Sequence, residues 1–264
     1  MKKTILCFVL MTLLSAGAAV AQTKVVAHRG YWKTEGVKGP DDATVSSQNS
    51  INSQNGAAQI GAYGSEFDIW STTDGELFVN HDGVLNGVTI QTSKAADVKN
   101  LKLPDGEYIS TLDQYLKNFT KHPNLEVVLE VKEHKNKLQE DAAVKKAIKL
   151  VNKYGLSKRT TWITFSLNAM LDMLKWLPQG TPIYYLDGEL SPKTLKKIGA
   201  AGLDYQLKVM KKHPEWFKAA HDLGLKVNVW TVNKKEDMQW CIDNGADFIT
   251  TNEPVTCLQL VKAN

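Results

Sequence analysis

Short β-branched runs separated by amphipathic stretches recur along nearly the whole chain, and this alternation restricts the fold more than any single motif. The extended candidates are KVVAHRG, YGSEFDIW, ELFVNHD, LEVVLEVK, TTWITFS, PIYYLD, YQLKV, LKVNVWTVN and ADFITTN. Between most of them the apolar residues recur at helical spacing, as in KLQEDAAVKKAIKLVNKYG and KKEDMQWCIDNG. Gly61, Gly155, Gly224 and Gly245 stop four of these helices, as a left-handed C-terminal cap requires. Strands regularly separated by helices pair in parallel, because a parallel connection needs a crossover. About eight such units predict an α/β chain forming one (β/α)₈ TIM barrel, with an open doubly wound sheet as the rival. One strand candidate is then surplus. TTDG, between YGSEFDIW and ELFVNHD, is too short for a crossover, so residues 66–71 and 76–82 are expected to form a hairpin. A turn centred on Asp74 would bring His81 back beside residues 67–68.

The first 21 residues read differently from the rest. A basic MKK, the apolar run TILCFVLMTLL and the small residues AVA before Gln22 have the order of a secretory signal peptide. The run is shorter than the ~20 apolar residues that a spanning helix needs. Residues 22–264 are therefore expected to be the barrel domain, periplasmic or secreted, with no stable membrane anchor once the signal is removed. No internal repeat or linker divides them. The formal charge of +4 includes Lys2 and Lys3 of the signal, and so small a balance argues against a nucleic-acid partner. Cys241 and Cys257 remain, in apolar helical contexts that suit either a pair or two buried thiols.

Chemistry in such a barrel collects at the carboxyl ends of the strands. There the chain places His28 and Arg29, Glu66 and Asp68, His81 and Asp82, Glu130 and Lys132, then Trp230 and Asn233. Residues two apart on a strand project to one face, so Glu66 aligns with Asp68 and Glu130 with Lys132. Converging carboxylates repel unless protonated or bridged by a cation, and oxygen ligands suit one divalent ion, Mg²⁺ or Ca²⁺. Two histidines beside them are general acid and base candidates. Arg29 and Lys132 add the positive charge that a phosphodiester needs in its transition state. Arg29 reaches the same pocket only if its strand ends by His28. His122, His134, His213 and His221 fall in helices or loops and read as structural.

The ordered blocks VVAHRG, GSEFDIWSTTDGELFVNHD, VLEVK and VNVWTVN resemble the signature of the glycerophosphodiester phosphodiesterase family, from about Lys24 to Pro254. The resemblance implies a (β/α)₈ barrel of the phospholipase-C-like phosphodiesterase type, acting on a small-molecule glycerophosphodiester to release glycerol 3-phosphate and an alcohol. It implies Glu66, Asp68 and Glu130 as metal ligands and His28 and His81 as the acid–base pair. It also implies Arg29, Asn49, Lys132 and Trp230 as substrate-binding residues. The chain departs from the family pattern at Ser47 and Gln48, where Pro-Glu is expected, in the long loop YWKTEGVKGPDDATVS, and at Asn252, where an aspartate is expected. Two alternatives stay open at this level: a secreted barrel glycoside hydrolase working with two carboxylates, and a binding protein of the same fold without turnover.

Overall fold

The computed structural model describes residues 22–32 and 46–264. The signal-peptide expectation, and most of the long loop after Trp32, fall outside the described residues. Within them, strands β1 (Lys24–Ala27), β2 (Gly64–Ser71), β3 (Leu77–Val79), β4 (Val84–Leu85), β5 (Val88–Thr89), β6 (Glu126–Val131), β7 (Thr160–Thr164), β8 (Ile183–Tyr185), β9 (Gly202–Gln206), β10 (Lys226–Trp230) and β11 (Phe248–Thr251) alternate with helices. Those helices are α1 (Ile51–Gln59), α2 (Ala95–Val98), α3 (Leu112–Phe119), α4 (Lys137–Lys153), α5 (Leu167–Trp176), α6 (Pro192–Ile198), α7 (Leu207–Lys212), α8 (Glu215–Asp222), α9 (Lys235–Asp243) and α10 (Pro254–Ala263).

Eight parallel strands close into a barrel in the order β1, β2, β6, β7, β8, β9, β10, β11 and back to β1. The open-sheet rival is excluded by that closure. Alternation along each strand separates two packing layers. Phe67, Ile69, Leu129 and Val131 turn outward into the large core beneath the helices, where Phe67 meets Tyr115 and Phe119 of α3. Their neighbours turn into the lumen, where Val26, Val128, Ile163, Tyr184 and Leu186 pack together. Each large apolar side chain buried this way contributes about 1.5–3 kcal/mol, so the helical jacket supplies most of the stability. Gly202 is required where β9 passes Lys226 and Tyr184, since a Cβ would run into the Lys226 carbonyl.

The surplus strand is β3. It pairs antiparallel with β2, Ile69 opposite Val79 and Trp70 opposite Phe78, which is the register expected from a turn at Asp74. Thr72 caps the turn by donating to Asp74 Oδ1 at 2.7 Å, and Gly75 takes φ +77°. The chain then makes an excursion through the β4–β5 hairpin and α2, with its own small core of Phe78, Ile90, Val98 and Ile109. One strand differs from expectation. YQLKV is not the sixth stave, which begins at Gly202; from Leu207 the inward residues are spaced as a helix, and Met210 is buried within α7. Cys241 and Cys257 are both buried and form no disulfide. Among the described residues, no helix is long and apolar enough to cross a membrane.

Candidate active site

The carboxyl ends of β1, β2 and β6, with the return of the hairpin, gather the polar residues. Glu66, Asp68 and Glu130 are 2%, 1% and 6% exposed, and each offers an oxygen within 4.8 Å of the others. Lys132 lies among them, its Nζ 2.7 Å from Asp68 Oδ1 and 2.8 Å from Glu130 Oε1. Three buried acids this close oppose one another's ionisation, and Lys132 and Arg29 offset only part of that. Burial, with the neighbouring charge of Asp68, pushes Glu130 up to about 8. Burial also raises Glu66, helped by Asp68 and Glu130. Burial works against the Asp68 carboxylate too, but Lys132, His81 and hydrogen bonds from Lys132 and Asn49 outweigh it and hold Asp68 below its ordinary value. An all-oxygen donor set with Glu66 Oε1 buried and without a hydrogen bond fits a hard divalent cation.

Arg29 reaches the pocket because β1 ends at Ala27 and Arg29 itself takes φ +59°. Its backbone N–H donates to Glu66 Oε2 at 2.8 Å, its Nη1 donates to Gln48 Oε1 at 2.7 Å, and its Nε lies 3.9 Å from Asp68 Oδ2. Gly30 follows at φ +83°, where a Cβ would strike Ser53. The tight HRG turn therefore lets the start of α1 approach, and with it Gln48 and Asn49.

His28 Nδ1 lies 2.7 Å from Asn252 Oδ1, an amide oxygen that can only accept, so Nδ1 carries the proton and Nε2 is left with its lone pair. Asn252 is itself fixed by its N–H donating to Asn233 Oδ1 at 3.0 Å. Burial first, and Arg29 second, bring His28 down to about 4, against the opposing bond from Asn252. His81 Nδ1 lies 2.8 Å from Asp82 Oδ1, which leaves its Nε2 for the pocket. Burial lowers His81 as well, against the pull of Asp68. Trp70 holds the His81 backbone through an indole N–H donated to its carbonyl at 3.1 Å.

His28, Arg29, Glu66, His81, Glu130 and Lys132 form one wall of a cavity of about 100 Å³; Ile163, Phe165, Leu186, Asp204, Trp230 and Thr250 complete the other. A wider surface groove beside Tyr108, Gln114 and Lys121 contains none of the acids or histidines of the site. Asn49 is placed elsewhere than the cavity wall. It is fully buried, donates to Asp68 Oδ2 at 2.8 Å and accepts from the Asp68 N–H at 3.2 Å, so it positions an acid. His134, read as structural, accepts from the Ser71 N–H at 2.9 Å and bonds the Lys132 carbonyl at 2.6 Å, tying the ends of β2 and β6. Reasoning from sequence missed Asp204, Phe165 and Leu186. An acid inside the apolar run GLDYQ was the available signal for Asp204, hidden by starting that strand at Tyr205.

Comparison with known proteins agrees with this geometry. Residues 28–256 match the glycerophosphoryl diester phosphodiesterase family. A glycerophosphodiester phosphodiesterase of Caldanaerobacter subterraneus is 27% identical over 262 residues, covering 91% of this chain and 98% of that protein. The crystal structure of a glycerophosphodiester phosphodiesterase from Parabacteroides distasonis superposes with a TM-score of 0.86 at 42% identity, covering 92% of this chain and 98% of that one. A phosphodiesterase from Oleispira antarctica, solved with its product sn-glycerol-3-phosphate, shares the fold at a TM-score of 0.75 and 18% identity, over 92% and 98% of the two chains. Fold, site and matches together define a (β/α)₈-barrel phosphoric diester hydrolase. The chain belongs to the glycerophosphoryl diester phosphodiesterase family, whose activity is the hydrolysis of glycerophosphodiesters.

Proposed function

We propose that this protein cleaves glycerophosphodiesters to glycerol 3-phosphate and an alcohol, with His28 and His81 exchanging the protons, in the periplasm or outside the cell. The observation that carries this reading is the pair of histidines flanking the acids. Each has its Nδ1 engaged by a side-chain oxygen, so each offers Nε2 to a substrate. One takes the proton of the attacking oxygen, whether water or a neighbouring substrate hydroxyl, and the other gives a proton to the leaving alkoxide. Arg29 and Lys132 supply fixed positive charge beside the phosphate. A divalent cation, Mg²⁺ or Ca²⁺, would be held by Glu66, Asp68 and Glu130 and would neutralise charge on the nonbridging oxygens. The secretory reading rests on the order of residues 1–21 and is checked by the N-terminal mass of the exported protein.

The test is turnover of glycerophosphocholine and bis(p-nitrophenyl) phosphate after chelation, then after adding back Mg²⁺, Ca²⁺ or Mn²⁺ singly. Turnover restored by an ion and lost in Glu66→Ala supports the reading. His28→Ala and His81→Ala should each lose on the order of 10²- to 10⁴-fold in kcat, the usual size of general acid–base catalysis. Full turnover in either variant would overturn the assignment.

A further inference from the structure

The far wall of the cavity holds an acid that the chemistry above does not use. Asp204 lies on β9, four staves from β2 in either direction around the barrel, and so faces Glu66 and Asp68 across the lumen. It is 2% exposed, lines the same cavity as both histidines, and its Oδ1 has no hydrogen-bond partner. Lys132, the lysine that lines this cavity, is engaged by Asp68 and Glu130. A buried carboxyl with an idle oxygen is costly to keep unless something completes it.

The surroundings are built to hold this group still. Asn228, level with Asp204 on the adjacent strand β10, hydrogen-bonds the Asp204 carboxyl, donates to Thr250 Oγ1 at 2.9 Å and accepts from it at 3.2 Å, making a polar seam across β9, β10 and β11 that leaves Oδ1 idle. Trp230 donates its indole N–H to the Asp204 carbonyl at 2.8 Å and stands edge-on to Phe165, 5.5 Å between ring centroids. The far wall therefore combines an aromatic face with one acid. That combination suits a short polyol, whose carbons lie on the ring while a hydroxyl meets the carboxyl.

We propose that Asp204 is a specificity-determining residue, hydrogen-bonding the hydroxyl of the substrate's glycerol moiety farthest from the phosphate. The proposal rests on the phosphodiesterase reading above and adds which part of the substrate is read, and by what. Burial brings Asp204 up to about 7, against the hydrogen bond from Asn228, and a hydroxyl can pair with either form of the carboxyl, donating to the ionised one or accepting from the protonated one. A site built to bond a hydroxyl discriminates strongly against the analogue that lacks it, because the buried group is then left unpaired.

The measurement is kcat/KM of the metal-supplemented enzyme on glycerophosphocholine and on the phosphocholine diester of propane-1,2-diol, which lacks only the terminal hydroxyl. The wild type, Asp204→Asn and Asp204→Ala are compared, with thermal melting of each to establish that it folds. The wild type should prefer the glycerol diester by at least about tenfold. Asp204→Ala should bring the two substrates within about threefold, chiefly through KM for the glycerol diester, and the isosteric Asp204→Asn should retain part of the preference. Preference kept in Asp204→Ala, or equal losses on both diesters, would show a purely structural acid and overturn the proposal alone. A wild type that cleaves neither diester under any ion would overturn the phosphodiesterase reading and this proposal with it.

Discussion

At the scale of single residues, the site is a cluster of groups whose protonation is set by one another. Glu66 and Glu130 are held above the ordinary carboxylate range while Asp68 is held below it, and Glu130, at about 8, largely keeps its proton at neutral pH. A cation entering the cluster needs the ionised forms, and must expel the proton held on Glu130. Calorimetric titration at pH 7 in buffers of different ionisation heat should therefore register release of at least about one proton per bound ion. The release should shrink as pH rises through 8, and its absence at pH 7 would contradict the arrangement. The histidines shift the other way. Both lie below the ordinary value of 6.5, so the neutral form that can accept a proton persists into mild acid. The acid limb of kcat/KM should accordingly fall below pH 6.5, and a limb above 7 would mean that neither imidazole is the group being titrated.

At the scale of elements, the β2–β3 hairpin delivers His81 without taking a place in the barrel. Its turn depends on Gly75 at φ +77°. Gly75→Val, with a branched side chain in the left-handed region, should cost about 1–2 kcal/mol in chemical denaturation and lower kcat more than a surface change of equal stability cost. Equal kcat in the variant would uncouple the turn from the placement of the histidine. This hairpin was legible in advance, since TTDG leaves no room for a crossover and the register then follows by counting. The acid-x-acid of β2 was legible for the same local reason, a period of two on an otherwise apolar strand. Asp204 was hidden because GLD opens β9 directly after α6 and the loop that ends it, where a glycine reads as a helix stop instead of a strand start. The contact between His28 and Asn252 joins residues 224 positions apart, and no local pattern encodes such a pairing. Asn49 was brought to the right neighbourhood, but sequence order cannot say that its side chain bonds Asp68.

At the scale of the whole molecule, the barrel is one cooperative ring, and its last strand matters as much as its first. β11 supplies Ile249 to the core and α10 supplies Val261; at about 1.5–3 kcal/mol for each such side chain, their loss alone removes a large part of a typical stability of ~5–15 kcal/mol. A chain ended at Asp247 should lose its cooperative thermal transition and expose apolar surface, read by calorimetry and dye binding; a sharp transition near that of the full chain would show that the ring tolerates an open seam. The seam itself is uneven. β1 pairs with β11 over four residues, Lys24 to Ala27, but with β2 over only Val26 and Ala27. The strand that presents His28 is thus anchored chiefly by the far end of the polypeptide. Synthesis runs from the amino terminus, and a domain folds as a unit once its segments are available. The growing chain therefore contains the residues of its acids and its hairpin long before β11 exists to seat β1, and the two candidate acid–base histidines are brought into one site only when the last strand has been made.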